Sequence, residues 1–160
     1  MLKRVSKLTA KASGSSFAII ASKYNGRYVD AMVKAAQREF KKAGAKMELI
    51  RVPGAFEIPA VAAALASRNT QDATRFSAII CFGVIFQGQT SHAQHVGWGV
   101  THALAQIQVQ QRMPVIHGVF IFEKEEHAKV RCLGRTHNRG TEAAHTALEM
   151  AKVMASISKS

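Results

Sequence analysis

Cysteine is scarce in this chain of 160 residues, which has only Cys81 and Cys132. Neither residue belongs to a Cys-x-x-Cys or Cys–His spacing, so the sequence argues against a disulfide framework and a zinc site. We therefore expect a chain that works in a reducing compartment, the cytoplasm. Cys81 lies inside an apolar run and is expected to be buried and chemically inert.

Glycine and proline are also few, with 11 and 3 residues, which excludes a collagen-like or low-complexity chain. No run approaches the ~18 consecutive apolar residues of a transmembrane helix, so we expect no membrane segment. The basic N-terminal segment lacks the apolar centre of a secretory signal. With 48% hydrophobic and 20% charged residues, the composition indicates one folded globular domain.

Acidic residues are outnumbered, because 10 Asp and Glu stand against 22 Lys and Arg, a net charge of +12. A basic chain can bind nucleic acid, an anionic membrane surface or phosphorylated small molecules. The total charge does not show which of these partners applies. The first 11 residues hold four cations and no acid. We therefore expect a flexible basic tail over residues 1–14 and a single domain over 15–160. Arg131, Arg135 and Arg139 fit either a phosphate clamp or a solvated helix face.

Apolar runs alternate with helical patterns along the chain. Asn25 suits the N-cap of the first helix and Gly44 its end, and Gly83 is expected to interrupt the third strand. The predicted strands are 17–21, 47–52, 76–86 and 115–122, and the predicted helices are 25–44, 58–66, 91–111, 123–132 and 139–157. The alternation predicts an α/β fold with a parallel sheet covered on both faces, and ligands at the carboxyl ends of its strands.

The segment GQTSH, residues 88–92, lies where a strand gives way to a helix. Free N–H groups and the helix dipole at such a point favour a phosphate or a carboxylate. In the alternative interpretation, Thr90 or Ser91 only caps the helix. His92 is either a general acid or base, because histidine exchanges protons near neutral pH, or a structural residue.

Two further candidates follow the first and second strands. Glu57 either complements a helix dipole or accepts hydrogen bonds from sugar-like hydroxyls. Tyr24 either stacks on a planar ring or takes part in ordinary packing. Trp98 is expected to fill the core or an interface, and no chemistry is assigned to it.

Five motifs occur together in the order and spacing of one known family. They are IIASKYN (19–25), VPGAFEIP (52–59), GVIFQGQTSH (83–92), PVIHGV (114–119) and NRGTEAAHTALEM (138–150). Over about residues 17–150 the chain resembles the lumazine synthases. The motifs VPGAFEIP and G-x-T-x-H are the most specific basis for this resemblance. The resemblance implies a three-layer α/β/α sandwich with a four-stranded parallel, flavodoxin-like sheet.

The same resemblance implies a transferase of the penultimate step of riboflavin biosynthesis. The family joins 5-amino-6-(D-ribitylamino)uracil to 3,4-dihydroxy-2-butanone 4-phosphate, giving 6,7-dimethyl-8-ribityllumazine, phosphate and water. It uses no metal and no organic cofactor. Its chemistry needs proton transfer and phosphate binding, together with the proximity of two bound substrates.

Residue roles are also implied by the resemblance. Tyr24 takes the place of the aromatic residue that stacks on the pyrimidine, and His92 that of the proton-transfer histidine. The other implied positions are Ala55, Phe56 and Glu57 for the ribityl chain, Val84, Ile85, Phe86 and His117 for the pyrimidine, Gln89, Thr90 and Arg131 for the phosphate, and Arg135 and Arg139 as further phosphate or ribityl candidates.

The chain departs from the family pattern at several positions. Gln87 stands where the family usually has Arg, and residues 93–95 replace an aromatic-acid-aromatic run. His117 stands where Phe is common, and 134–140 reads GRTHNRG in place of a GTKAGNKG-like segment. The binding loops themselves are intact.

Self-association is a further implication, because the family's site lies between adjacent subunits of a pentamer. Some members form decamers and others sixty-subunit shells, and the sequence leaves the choice open.

Two alternative functions remain. One is a divergent relative that binds lumazine or flavin, and the other is a basic nucleic-acid-binding or cargo scaffold, for which no recognition motif is present. We expect small-molecule substrates and no nucleic-acid or membrane partner.

Overall fold

Four strands and five helices follow one another in the computed structural model, which describes residues 11–68 and 76–158. The strands are β1 (Ser16–Ser22), β2 (Lys46–Val52), β3 (Ala78–Phe86) and β4 (Val115–Phe122). The helices are α1 (Gly26–Ala43), α2 (Ile58–Arg68), α3 (His92–Gln111), α4 (Glu125–Ala128) and α5 (Arg139–Ile157). The last helix has the bounds that the sequence predicts.

The four strands form one parallel sheet in the order β2-β1-β3-β4. Phe17 of β1 pairs with Met47 on one side and with Ala78 on the other, and β4 pairs with β3 at the far edge. Each strand is therefore joined to the next by a helical crossover. The predicted α/β architecture with a four-stranded parallel sheet is confirmed.

Alternate residues of the strands face two separate apolar clusters. Phe17, Ile19 and Ile80 pack with α1 and α5, whereas Ile20 and Cys81 pack with α2 and α3. Because both faces of the sheet are covered, the central strands are nearly continuous apolar runs, as parallel strands usually are. The helices therefore form the outer layers of a three-layer sandwich.

Helix α1 buries the face that the sequence predicts, from Val29 to Phe40, and it ends at Gly44 with φ +71°. Its start differs from the expectation. Asn25 occupies the N-cap position, but its backbone is left-handed, with φ 54°, and its side chain makes no capping hydrogen bond. The Asn25 amide instead donates to the carbonyl of Val84 at 2.7 Å, across to the end of β3.

Two other expectations about the elements are wrong. Gly83 does not interrupt β3, since the strand runs through it to Phe86. A β-carbon at Gly83 would lie 3.1 Å from that of Ala55, so the missing side chain makes room for the neighbouring segment. The helix predicted over 123–132 is shorter, because α4 gives way to a π-helical turn, Lys129–Leu133.

Both cysteines are buried and unpaired. Burial raises the pKa of the Cys132 thiol to about 12 and that of Cys81 further still. These thiols are therefore protonated at neutral pH, which agrees with the expected inert role of Cys81.

Most of the predicted basic tail, residues 1–10, lies outside the described residues. Within the remainder, Ala12 donates its N–H to the carbonyl of Ala43 at 2.8 Å and packs against the α1 cluster. Over 11–68 and 76–158, no helix is long and apolar enough to cross a membrane.

Candidate functional site

A cleft of about 540 Å³ opens at the carboxyl ends of the strands. The order of the strands reverses between β1 and β3, and open α/β sheets bind ligands at such a switch point. The loops after β1, β2 and β3 converge on the cleft, as the sequence predicts. The lining residues are Tyr24, Asn25, Gly54, Ala55, Phe56, Glu57, Val84, Ile85, Phe86, Gly88, Thr90, His92, Ala93 and Val96.

The loop after β1 brings Tyr24 to the cleft, where the residue is 73% exposed. The Tyr24 N–H donates to the carbonyl of Pro53 at 3.1 Å, which ties this loop to the one after β2. The Asn25 amide ties it to Val84 at the end of β3. An aromatic ring is thus held on a braced backbone with its faces open, an arrangement suited to stacking on a planar ligand.

The loop after β2 forms a 3₁₀ turn, Ala55–Glu57, in front of α2. One carboxylate oxygen of Glu57, Oε2, accepts the Gly54 N–H at 2.9 Å. Glu57 is exposed and lines the cleft, so its second oxygen faces no competing donor among the described residues. One oxygen therefore caps the turn, and the other remains available to a ligand in the cleft.

The segment after β3 places Thr90 and His92 at the start of α3, beside the cleft. Ser91 occupies the N-cap position without a side-chain capping bond, and the Thr90 hydroxyl accepts the His92 N–H only at 3.4 Å. The first N–H groups of this 20-residue helix are therefore largely uncapped. Uncapped N–H groups and the helix dipole together favour an anion at this point.

Gln89 belongs to this turn, but its exposed side chain does not line the cleft. His117 is also elsewhere, on β4, with its Nε2 2.8 Å from the hydroxyl of Thr101 on α3. Desolvation lowers the pKa of His117 below the ordinary value. In the single chain, therefore, this side chain contributes nothing to the cleft that the sequence assigns to it.

The three arginines are likewise absent from the cleft lining. Arg131 lies in the π-helical turn 129–133, and Arg135 lines a separate polar cavity between α1 and the start of α5. Arg139 forms an ion pair with Glu142, and its guanidinium lies 5.8 Å from the ring centre of Phe120. The cleft of one chain thus has uncapped helix N–H groups but no arginine in its lining.

Large aromatic side chains are exposed around this part of the molecule. Phe56 is 64% and Trp98 67% exposed, in addition to Tyr24. Trp98 is therefore not a core residue, which leaves the interface interpretation of the sequence. Exposed aromatic residues of this size are typical of surfaces that a partner or a ligand covers.

Sequence reasoning missed some residues of the cleft. Asn25 was interpreted as a helix cap in the loop after β1 and was not assigned to the site, and neither was Val96 of α3, yet both line the cavity. The signal for Asn25 was its place in that loop, three residues after the end of β1. No group of three or more His, Cys, Asp or Glu suited to a metal occurs in the described part of the chain.

Comparison with known proteins gives one consistent result. A family model described as 6,7-dimethyl-8-ribityllumazine synthase matches residues 14–155. The chain is similar to a protein of that name from Stenotrophomonas maltophilia (strain R551-3), with 37% identity over 141 residues, 86% of this chain and 88% of the relative. It is similar to another from Xanthomonas euvesicatoria pv. vesicatoria (strain 85-10), with 36% identity and the same coverage.

Proposed function

The chain belongs to the 6,7-dimethyl-8-ribityllumazine synthase family, and we propose that the cleft at the carboxyl ends of β1, β2 and β3 is its substrate site. The protein is a transferase of riboflavin biosynthesis. It condenses 5-amino-6-(D-ribitylamino)uracil with 3,4-dihydroxy-2-butanone 4-phosphate to 6,7-dimethyl-8-ribityllumazine, releasing phosphate and water. One observation carries the proposed site: an open aromatic ring, a free carboxylate oxygen, uncapped helix N–H groups and a histidine meet in one cavity.

The ribitylaminouracil occupies the part of the cleft between β1 and β2. Tyr24 stacks on the pyrimidine, beside the strand end Val84–Phe86, and the free oxygen of Glu57 accepts hydrogen bonds from ribityl hydroxyls. Support comes from the exposure of the Tyr24 ring and from the single use of the Glu57 carboxylate. Hydrogen bonds to a carboxylate are stronger than neutral ones, so Glu57 orients the chain.

The butanone phosphate binds at the start of α3, where the backbone of Gln89 and the Thr90 hydroxyl join the helix N–H groups. The amine of the first substrate condenses with the ketone of the second with loss of one water, phosphate is eliminated, and ring closure by the ribitylamino nitrogen on the remaining carbonyl releases a second water. His92 lies where these proton transfers occur and serves as their acid and base. Holding both substrates in one cavity supplies much of the rate enhancement.

His117 and Arg131 complete the site from a neighbouring copy of the chain, in a pentamer or a multiple of pentamers. Their separation from the cleft in one chain and the exposure of Tyr24, Phe56 and Trp98 support this assembly. Arg131, with Arg135 and Arg139 as further candidates, then supplies the cation that the cleft lacks.

The two buried, unpaired cysteines fit an enzyme of the cytoplasm.

The decisive experiment mixes the protein with both substrates and measures lumazine fluorescence. The His92→Gln variant should lower kcat at least about tenfold, because general acid–base catalysis typically contributes 10²–10⁴-fold. His95→Gln is the matched control, since His95 is exposed on the same helix and does not line the cleft. Absence of product from the wild-type protein, or equal rates for the two variants, contradicts the proposal.

A further inference from the structure

The turn that joins β3 to α3 is organised by one side chain, that of Gln87. Its amide nitrogen Nε2 donates to the carbonyl of Gly88 at 3.1 Å and to that of Thr90 at 2.8 Å. The backbone N–H of Gln87 donates to the carbonyl of Phe122, at the end of β4, at 2.9 Å. Gln87 thus connects the turn to the edge of the sheet.

The Gln87 amide has only one favourable orientation. Rotating it by half a turn would place its oxygen against the two carbonyl oxygens. In the orientation present, Oε1 is buried and meets no donor among the described residues. A buried polar atom without a partner typically costs about 1–3 kcal/mol, so such an arrangement calls for a reason.

The direction of these two carbonyls also determines the direction of two backbone N–H groups. A trans peptide group is planar, with its C=O and N–H pointing in opposite directions, and no described peptide bond is cis. Since the carbonyls of Gly88 and Thr90 point at the Gln87 amide, the N–H groups of Gln89 and Ser91 point away from it. Gly88 and Thr90 themselves line the cleft. Two backbone N–H groups of one turn are thus held on the side away from Gln87, where they can donate to an anion.

We propose that Gln87 is a positioning residue, which orients the N–H groups of Gln89 and Ser91 toward the phosphate of the butanone substrate. This inference rests on the proposed function of the cleft. The phosphate binds the backbone of the turn, as in the proposed function, and the new element is that Gln87 sets the shape of the turn. The unsatisfied oxygen of Gln87 lies four residues before Ser91, the N-cap of the uncapped helix start.

Gln87→Met separates positioning from stability. Methionine is close to glutamine in size, and it removes both donors together with the unsatisfied oxygen. We expect KM for the butanone phosphate to rise about tenfold, the equivalent of about 1.4 kcal/mol, with kcat and KM for the uracil substrate within about twofold. The midpoint of urea unfolding should not fall, because the substitution also removes a buried unpaired group.

Two further variants test the hydrogen-bond chemistry. Gln87→Arg supplies guanidinium donors to both carbonyls, so KM for the phosphate substrate should stay within about threefold of the wild-type value. Gln87→Glu presents carboxylate oxygens to the same carbonyls, so KM should rise at least as far as in Gln87→Met. Gln106→Met, at an exposed position of α3, is the matched control for the change of residue type.

Hydrogen exchange of the backbone gives a readout that is independent of turnover. Amides of residues 88–92 should exchange faster in Gln87→Met, and inorganic phosphate should protect them more in the wild-type protein than in the variant. The inference would be overturned if Gln87→Met had the KM and the amide exchange rates of the wild-type protein. It would also be overturned if Gln87→Met unfolded at lower urea concentration while its KM stayed unchanged. If the wild-type protein forms no lumazine, the proposed function fails, and phosphate protection alone then decides the role of Gln87.

Discussion

Asn25 and Gln87 use the same chemistry at neighbouring points of the site. Each directs a side-chain amide at backbone carbonyls around the end of β3, at 2.7 Å from Val84 and 2.8 Å from Thr90. The left-handed backbone of Asn25 is tolerated because asparagine reaches this conformation more readily than most residues. The cleft is therefore shaped by amide side chains that sequence patterns alone assign to caps and turns.

Glu39 shows how a single carboxylate links two helices at a distance from the site. Burial opposes its ionisation, but hydrogen bonds from Lys42 at 2.7 Å and His145 at 2.8 Å outweigh that effect. The pKa of Glu39 is therefore below its ordinary value of 4.5. Since His145 belongs to α5 and Glu39 to α1, this carboxylate joins the two helices that cover one face of the sheet.

The depressed pKa of Glu39 predicts how stability depends on pH. Its contribution is complete above the ordinary pKa and is lost as pH falls through the lower folded-state value, because the unfolded chain then binds the extra proton. The free energy of unfolding, measured by urea between about pH 6 and pH 3, should therefore fall more steeply in the wild-type protein than in Glu39→Gln.

Glu149→Gln is the control for this measurement. Glu149 also pairs with a lysine three residues away, Lys152 at 3.1 Å, but both side chains are about half exposed. Such surface pairs contribute little to stability. The Glu149→Gln profile should therefore run parallel to that of the wild type, and equal slopes for all three proteins would contradict the role given to Glu39.

At the scale of elements, the start of α5 is tied to two neighbouring segments by one side chain. Asn138 caps the helix by accepting the Gly140 N–H at 2.8 Å, and its amide donates to the carbonyls of Cys132 and Gly134. One buried side chain thus joins the π-helical turn, the following loop and α5. The π-helical turn carries Arg131, so the same cap also positions the residue assigned to the phosphate.

Gly140 allows α5 to cross α1 at close range. A β-carbon at this position would overlap the carbonyl oxygen of Met32. We expect Gly140→Ala to lower the free energy of unfolding by about 3 kcal/mol, at the upper end of the usual cost of overpacking. Urea denaturation followed by circular dichroism measures this change.

Gly26→Ala is the matched control within α1. The nearest atom to its new β-carbon would be Asp30 Oδ2 at 3.8 Å, an ordinary contact. A change of less than about 1 kcal/mol is expected there, because alanine reduces the freedom of the unfolded chain without a clash. Equal losses at Gly26 and Gly140 would show that the helix crossing is not the cause.

At the scale of the whole molecule, our proposal divides the site between copies of the chain. Tyr24, Glu57 and His92 meet in one cleft, while Arg131 lies on another part of the surface. Because cyclic oligomers repeat one interface around the ring, each cleft would then receive its arginine from a neighbour. A folded monomer would hold only part of the machinery.

Mixing two impaired variants tests this division. His92→Gln keeps Arg131, and Arg131→Gln keeps the cleft, so co-expressed chains that assemble at random should restore about one quarter of the sites. Fluorescence assays on the mixed oligomers measure the recovery, and light scattering should give a mass of at least about 87 kDa, five times the 17.4 kDa of one chain. No recovery in mixed oligomers would place all the required residues in one subunit.

Local signals account for what the sequence predicted correctly. The apolar runs of β1, β3 and β4 and the periodic faces of α1 and α5 depend on neighbouring residues, so their order and approximate bounds could be predicted. The position of the cleft followed as well, because the carboxyl ends of parallel strands share one edge of a sheet. The family resemblance then implied roles for Glu57 and His92.

The sequence by itself determined the strand–helix order, the two covered faces of the sheet and the loops that form the cleft. Only the tertiary structure decided that Asn25 holds Val84, that Glu39 joins His145, and that β3 continues through Gly83. It also decided which arginines lie away from the cleft. The physical reason is the separation of the interacting residues along the chain. Backbone periodicity is set by adjacent residues, whereas these partners lie up to 106 residues apart and meet only when the layers pack.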